Sequence, residues 1–306
     1  MPRLIACADD APIDFAELVQ ALNDERFDPA DEESFAAAGP LLGRLGRNRR
    51  FLADLATAEL KDRCARQSLE NNYGSQVLML HRASEKYFIR ANFWPSERDS
   101  VFKTSGTSPF FYHVPHDHNF SFLTVGYLGP GYWSDYYEYD YSEVVGYPGE
   151  EVNLKFVEKA RLDEGKVMLY RAHKDIHLQL PADSMSVSIN IMESTPSLAF
   201  RDQYRFDIGK CEIAGILNRS ASEALLALAA NHGGGNGRDL VSSFAAGHPS
   251  ERIRFAALRE LAAAAPDVDR GLELLARGAD SPSCFIAQMC AREAARIEAS
   301  RAWTGR

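Results

Sequence analysis

Between residues 76 and 192 the chain is a succession of short β-prone runs, and this feature constrains the fold more than any other. The runs are Gln76–Leu80, Lys86–Phe93, Phe120–Leu128, Tyr136–Tyr141, Val152–Val157, Val167–Tyr170, Ile176–Leu180 and Met185–Met192, punctuated by Gly, Pro, Asp and Asn. Many short strands at fairly even spacing predict a sandwich or barrel. In the last run Ser186, Ser188 and Asn190 alternate with Val187, Ile189 and Ile191, the period of a strand with one polar and one apolar face. A turn is expected at Arg82-Ala83-Ser84-Glu85. Gly129-Pro130-Gly131 reads as a hairpin turn.

Both flanks have a helical texture. Phe15, Leu18, Val19 and Leu22 recur at helical spacing, and a second segment from Pro40 to Leu69 repeats the pattern after a connection at Asp28-Pro29-Ala30-Asp31. Beyond Ser220 the chain turns Ala/Leu-rich. Gly233-Gly234-Gly235-Asn236-Gly237 is expected to be a flexible loop, with helical runs at Ser250–Ala265, Val268–Arg277 and Cys284–Ala299. The expected organisation is a helical segment over 1–74, a β-barrel over 75–208 and a helical region over 209–306. In the last of these, Leu225, Leu228, Leu258, Leu261, Leu272 and Leu275 need an apolar partner, either the barrel or a second subunit, so a homodimer is one arrangement it allows.

Net charge is −9, and the longest basic cluster is Arg47-Asn48-Arg49-Arg50. This argues against a nucleic-acid partner, which needs a concentrated positive face. No apolar run has the length of a membrane span, and Asp9-Asp10 makes the N-terminus acidic too early for a secretory signal, so a cytoplasmic protein is expected. Cys7, Cys64, Cys211, Cys284 and Cys290 form no CxxC pair and are expected to be small buried residues.

Five of the eight histidines fall between 113 and 177. His116-Asp117-His118 stands at the mouth of the strand Asn119–Tyr127, and residues i and i+2 of a strand share a face, so two imidazoles can reach one divalent ion. Neutral imidazole suits Fe, Zn, Cu or Ni. A third ligand has to come from another strand, and Gly165–His177 offers both His173 and His177, of which the register favours His177. His113 is expected in a loop, and His81, His232 and His248 at the surface or at helix ends. Seven of the twelve tyrosines lie between 127 and 147. Most are expected to pack inward, and Tyr137, Tyr139 or Tyr127 can line a metal pocket and orient a substrate or donate a proton. Arg90, with Asn92 on the same strand, can hold an anionic group.

Gly106, His116 and His118, followed by Gly165 and His177, resemble the two motifs of the cupin superfamily, although the first glycine is set far from its histidines. The resemblance spans about a third of the chain. It implies a mainly β fold, a cupin-like β-barrel or jelly roll flanked by α-helical N- and C-terminal segments. The glutamate usual in the first cupin motif falls near Phe122 or Leu123 and is absent. A three-histidine face is similar to the thiol dioxygenase branch, as is the closing strand Val187-Ser188-Ile189. That branch implies Fe(II) with open positions for a small-molecule substrate and dioxygen. Glu138 or Asp140 is the alternative that would restore a carboxylate ligand. Gly247–Leu258 resembles one HEAT-type helical repeat unit.

The expectation that follows is a non-haem Fe(II) oxygenase acting on a small polar molecule such as an amino acid derivative. A redox-neutral isomerase or hydrolase using Zn, Ni or Mn is the second reading. A non-enzymatic, metal-supported binding or regulatory module is the third.

Overall fold

The computed structural model describes residues 1–8, 11–23, 26–82 and 86–304. The chain divides into two compact units. One comprises Met1–Ser142 with Val152–Cys211, the other Glu143–Glu151 with Glu212–Arg306. Helical residues outnumber strand residues, so the expectation of a mainly β chain is corrected to a mixed one in which antiparallel sheets and helices share the structure.

The first unit is built on two sheets. The strands β1 (Arg3–Ile5), β2 (Val77–Arg82), β3 (Tyr87–Trp94), β4 (Phe122–Leu128), β7 (Val167–Tyr170) and β9 (Ser186–Glu193) form an antiparallel sheet in the order β1-β7-β4-β9-β3-β2. The strands β5 (Trp133–Glu138), β6 (Lys155–Arg161) and β8 (Asp175–Gln179) form a second sheet in the order β6-β5-β8. The run expected at Tyr136–Tyr141 begins three residues earlier, at Trp133. Of the expected turn at 82–85, residues 83–85 lie outside the described residues.

Alternation along the strands separates two cores. Ile89, Ala91, Leu123, Val125, Ile189 and Ile191 face outward from the large sheet and are buried under the N-terminal helices α1 (Phe15–Leu22), α2 (Glu32–Ala37), α3 (Gly39–Gly46) and α4 (Phe51–Lys61). These helices start where the sequence supplies partners for their free N–H groups. Asp31 Oδ1 accepts from Ser34 N at 2.7 Å at the head of α2, and Asn48 Oδ1 accepts from Arg50 N and Phe51 N at 3.2 Å at the head of α4. The segment Pro40–Leu69 is thereby divided. It breaks again at Arg63 and Cys64, both at positive φ, before α5 (Ala65–Glu70); a further short helix, α6, covers Ser100–Ser105.

The other face of the large sheet looks at the small one. Trp94, Phe122, Met168, Tyr170 and Met192 from one sheet pack with Tyr136 and Ala160 from the other. The polar side of β9 therefore lies inside, where Trp94 Nε1 donates to Ser188 Oγ at 2.9 Å and Ser188 Oγ donates to Asn190 Oδ1 at 3.0 Å.

Gly129-Pro130-Gly131 does not make a hairpin, because β4 and β5 belong to different sheets. Both glycines have positive φ, +81° and +79°. A Cβ at Gly129 would meet the Met185 carbonyl and one at Gly131 the Leu162 carbonyl, so only glycine lets the connection pass so close to both neighbouring strands.

In the second unit, α7 (Ala221–His232), α8 (Gly234–Gly247), α9 (Glu251–Ala263), α10 (Val268–Ala279) and α11 (Cys284–Thr304) follow a strand at Glu212–Ile216. The expected glycine loop is corrected to a helix start. Only Gly233 separates α7 from α8, and a Cβ at Gly237 would strike the Ala229 carbonyl, so the glycines allow close helix contact. The apolar stripe is also shifted by one residue in α7. Leu226 and Ala230 are buried with Val241, Ile253 and Ala256, while Leu225 and Leu228 are 62% and 58% exposed. Among the cysteines only Cys290 is buried, and Cys211 and Cys284 are exposed, against expectation. No helix among the described residues is long and apolar enough to cross a membrane.

Candidate metal centre

The segment from Pro115 to His118 is not part of β4. It is a strip hydrogen-bonded on both edges. On one edge His116 N donates to His177 O at 3.1 Å and His177 N to His116 O at 3.0 Å, and His173 N donates to His118 O at 2.8 Å. On the other edge Asp117 N donates to Tyr204 O at 3.2 Å and Phe206 N to Pro115 O at 2.9 Å, both on β10 (Tyr204–Asp207). Two residues that exchange both backbone hydrogen bonds stand directly opposite, with their side chains on one side. The ladder thus places His177 beside His116, and the period of two brings His118 to the same side.

The result is a buried cluster of three imidazoles. One ring nitrogen from each of His116, His118 and His177 lies within 4.8 Å of the others. Ring centroids are 4.9 Å apart for 116–118, 4.5 Å for 116–177 and 5.0 Å for 118–177. The Val114 carbonyl accepts from His116 Nδ1 at 2.7 Å, which fixes the tautomer and leaves a lone pair on Nε2. That Nε2 is 3.2 Å from His177 Nε2. Two imidazole nitrogens on one first-row ion at about 2.1 Å stand roughly 3.0–3.4 Å apart, so this pair is already spaced as two ligands are. The Nδ1 atoms of His118 and His177 are buried without a partner in the structure. Three neutral nitrogen donors and this spacing fit a divalent first-row metal.

Burial pushes the His116 imidazole below its ordinary value. It pushes His118 and His177 well below 6.5, helped by repulsion from His116 and, at His118, from His177 and Arg90 as well. All three are therefore neutral at neutral pH and ready to donate. In the unfolded chain each takes up a proton near pH 6.5, whereas in the folded chain it does so only at lower pH. Between those values the unfolded state binds more protons, so the unfolding free energy of the metal-free protein should fall as pH drops below about 6.5. Chemical denaturation from pH 7.5 to 5 checks this, and His118→Gln should flatten the slope.

Between the paired histidines, Asp117 is fully buried. Its Oδ2 accepts from Tyr139 Oη at 2.6 Å and its Oδ1 from Tyr204 N at 2.6 Å, while Gln203 Nε2 donates to its carbonyl at 2.7 Å. Burial and the Asp117 charge hold the Tyr139 phenol far above its usual range, so it stays a donor. Asp117 thus pins the strip that carries His116 and His118. Nothing in the sequence marks this role beyond its place between the two histidines.

The cluster opens on a cavity of about 240 Å³. Arg90 and Asn92 from β3, Asn190 from β9 and Gln179 from β8 line it, together with Trp94, Phe122 and other rings. Trp94, Gln179 and the rings were not singled out in the sequence, although Asn190 lies on the polar stripe of β9. The Arg90 guanidinium lies 4.6 Å from the centre of the Tyr73 ring, and burial lowers its pKa.

The other sequence candidates lie elsewhere. Tyr137 packs on Phe156, with ring centroids 5.4 Å apart, and does not line the cavity. Tyr139 holds Asp117 instead. Tyr127 lies under the N-terminal helices, with its hydroxyl on the Asn48 carbonyl at 2.9 Å. His173, at φ +56°, stacks on Tyr141 at 4.0 Å, and its Nδ1 is 3.7 Å from Asp117 Oδ2. Glu138 accepts from Arg171 at 3.1 Å, and Asp140 accepts from Ser142; neither belongs to the imidazole cluster.

No protein-family model matches the chain, and no curated protein matches it. Among solved structures, the chain is similar to hydroquinone 1,2-dioxygenase PnpCD in complex with Cd2+ and 4-hydroxybenzonitrile. Identity is 11%, covering 42% of this chain and 71% of that one, with a TM-score of 0.25. It is also similar to DMSP lyase DddQ from Ruegeria pomeroyi DSS-3, at 9% identity, covering 63% of this chain and 76% of that one, with a TM-score of 0.23. At these TM-scores the likeness decides nothing about this chain's chemistry.

Proposed function

We propose that the chain is a metal-dependent enzyme in which His116, His118 and His177 hold one divalent ion, and that with Fe(II) it oxidises a small polar molecule with dioxygen. The convergence of three buried, neutral imidazoles on one point beside a cavity carries this reading. Three neutral ligands leave the ion its full positive charge and open positions, and when bound it supplies Lewis acidity and one-electron chemistry.

The chain's own residues do the rest. His116 is oriented by the Val114 carbonyl, and the strip is held by Asp117 through Tyr139 and the Tyr204 amide. Arg90 offers a guanidinium to an anionic group of the substrate. The surrounding rings lower the local dielectric, which strengthens that ion pair.

The same donor set is also that of catalytic zinc, which favours a redox-neutral hydrolase or isomerase as the second reading. Metal analysis of the purified protein, combined with oxygen consumption across a panel of small acids, separates the two. Iron with substrate-dependent oxygen uptake supports the first, zinc with turnover and no uptake the second. Glu138→Gln should leave metal content unchanged under either, because that side chain is engaged by Arg171. A drop in metal content in this variant would place a carboxylate among the ligands.

A further inference from the structure

The substrate class can be narrowed from the walls of the same cavity, an inference that rests on the metal-centre reading for the position of the reacting end. Two features of the lining decide it. First, Arg90 is the only Asp, Glu, Lys or Arg side chain among the described residues that line the cavity. Its Nε is buried without a hydrogen-bond partner, and the face of Tyr73 is its neighbour. A half-buried cation with no counter-charge in its cavity is costly, and one carboxylate reduces that cost. One guanidinium pairs with one carboxylate through its two parallel N–H donors.

Second, the apolar part of the lining is made almost wholly of rings. Aliphatic side chains are nearly absent, with Val77 and Pro109 the exceptions. Trp94 lies 4.7 Å from Tyr132, Phe122 lies 4.8 Å from His118, and Phe111 lies 5.2 Å from His116. Flat, stiff walls complement a flat ligand, and ring pairs gain more than their buried area alone supplies. The size agrees. An apolar cavity of about 150 Å³ accommodates benzene, and this one, at about 240 Å³, has room for a single ring with a carboxylate.

We propose that the cavity takes a small planar aromatic monocarboxylate, with its carboxylate on Arg90 and its ring between the aromatic walls, beside His116, His118 and His177. Asn92, whose Oδ1 is buried without a partner, faces the same space and accepts from a ring hydroxyl or amino substituent.

Calorimetric titration of the full chain with benzoate, benzamide, cyclohexanecarboxylate and butyrate tests this, with metal content measured on the same samples. Benzoate should bind, benzamide about tenfold or more weakly for want of the charge-assisted pair, and cyclohexanecarboxylate roughly three- to tenfold more weakly for want of ring stacking. Butyrate should be weaker still. Arg90→Gln should reduce benzoate to the level of benzamide without changing metal content, and Arg90→Lys should retain part of the difference. Equal affinity for benzoate and cyclohexanecarboxylate, unchanged benzoate binding in Arg90→Gln, or no benzoate binding at all overturns the proposal. Discrimination in a protein whose histidines hold no metal leaves the aromatic-acid site standing and removes the metal reading. Metal at the histidines with no discrimination does the reverse.

Discussion

His177→Ala should abolish metal binding and activity while leaving a folded protein. The residue is placed by backbone hydrogen bonds to His116, which the substitution does not touch, so the strip and β8 should stay paired. Its imidazole is one of three converging donors, and losing it should cost more than the roughly 10–100-fold typical of groups that only orient a ligand. His116→Ala and His118→Ala should behave alike. His173→Ala is the internal contrast. That ring stacks on Tyr141, and its loss should leave metal content close to that of the native chain. Elemental analysis beside circular dichroism checks all four variants, and metal retained in His177→Ala alone would reassign the third donor.

Asp117→Ala should be the most damaging substitution that removes no proposed ligand. It takes a fully buried carboxylate from the Tyr139 hydroxyl and the Tyr204 amide and leaves both donors unpaired. Stranding buried donors that bonded a charged group costs about 1–3 kcal/mol for each of the two. Because the strip bearing His116 and His118 is held at that point, metal affinity should fall with stability, by about 10–100-fold. Asp117→Asn keeps an oxygen for the Tyr204 amide, and the Tyr139 hydroxyl can turn to accept from the new NH2 group, so much of the stability should be recovered. Tyr139→Phe should cost less, on the order of 1–3 kcal/mol, for the acceptor it strands. Denaturant melts with metal titration read both effects, and an Asp117→Ala protein as stable as the native chain contradicts the account of the strip.

How far these features were legible in the sequence depended on the range of the physics involved. The strand Val167–Tyr170 was legible to the residue because it is short, apolar and bounded by turns. The polar stripe of β9 was legible through its period of two. The stretch Trp133–Tyr141 was misread for two reasons. Glycine and proline announce a turn but not the sheet that receives the next strand, and β4 and β5 part company there. A register shift between Tyr136 and Tyr137 then disturbs the pairing of β5 with β6, and it is Tyr136, not Tyr137, that faces the inner core.

The proximity of His116, His118 and His177 followed from spacing only in part. What brings them together is a ladder between segments 61 residues apart, which no local pattern reveals. The short strand Arg3–Ile5 was missed because three residues carry too little periodicity, and its place beside β7 is set by tertiary contact. The one-residue shift of the α7 stripe has the same origin. In an Ala/Leu-rich helix several faces are equally apolar, and packing chooses among them.

On the proposed reading, His116, His118 and His177 together hold one metal ion, with no carboxylate. Diffraction from metal-loaded crystals at the absorption edge of the bound element tests it most directly. A single anomalous peak is expected within about 2.0–2.3 Å of one nitrogen from each of the three imidazoles, with Glu138, Asp140 and His173 outside bonding distance. A peak bonded to any of those three residues, or a metal-loaded protein with no peak between the histidines, contradicts it.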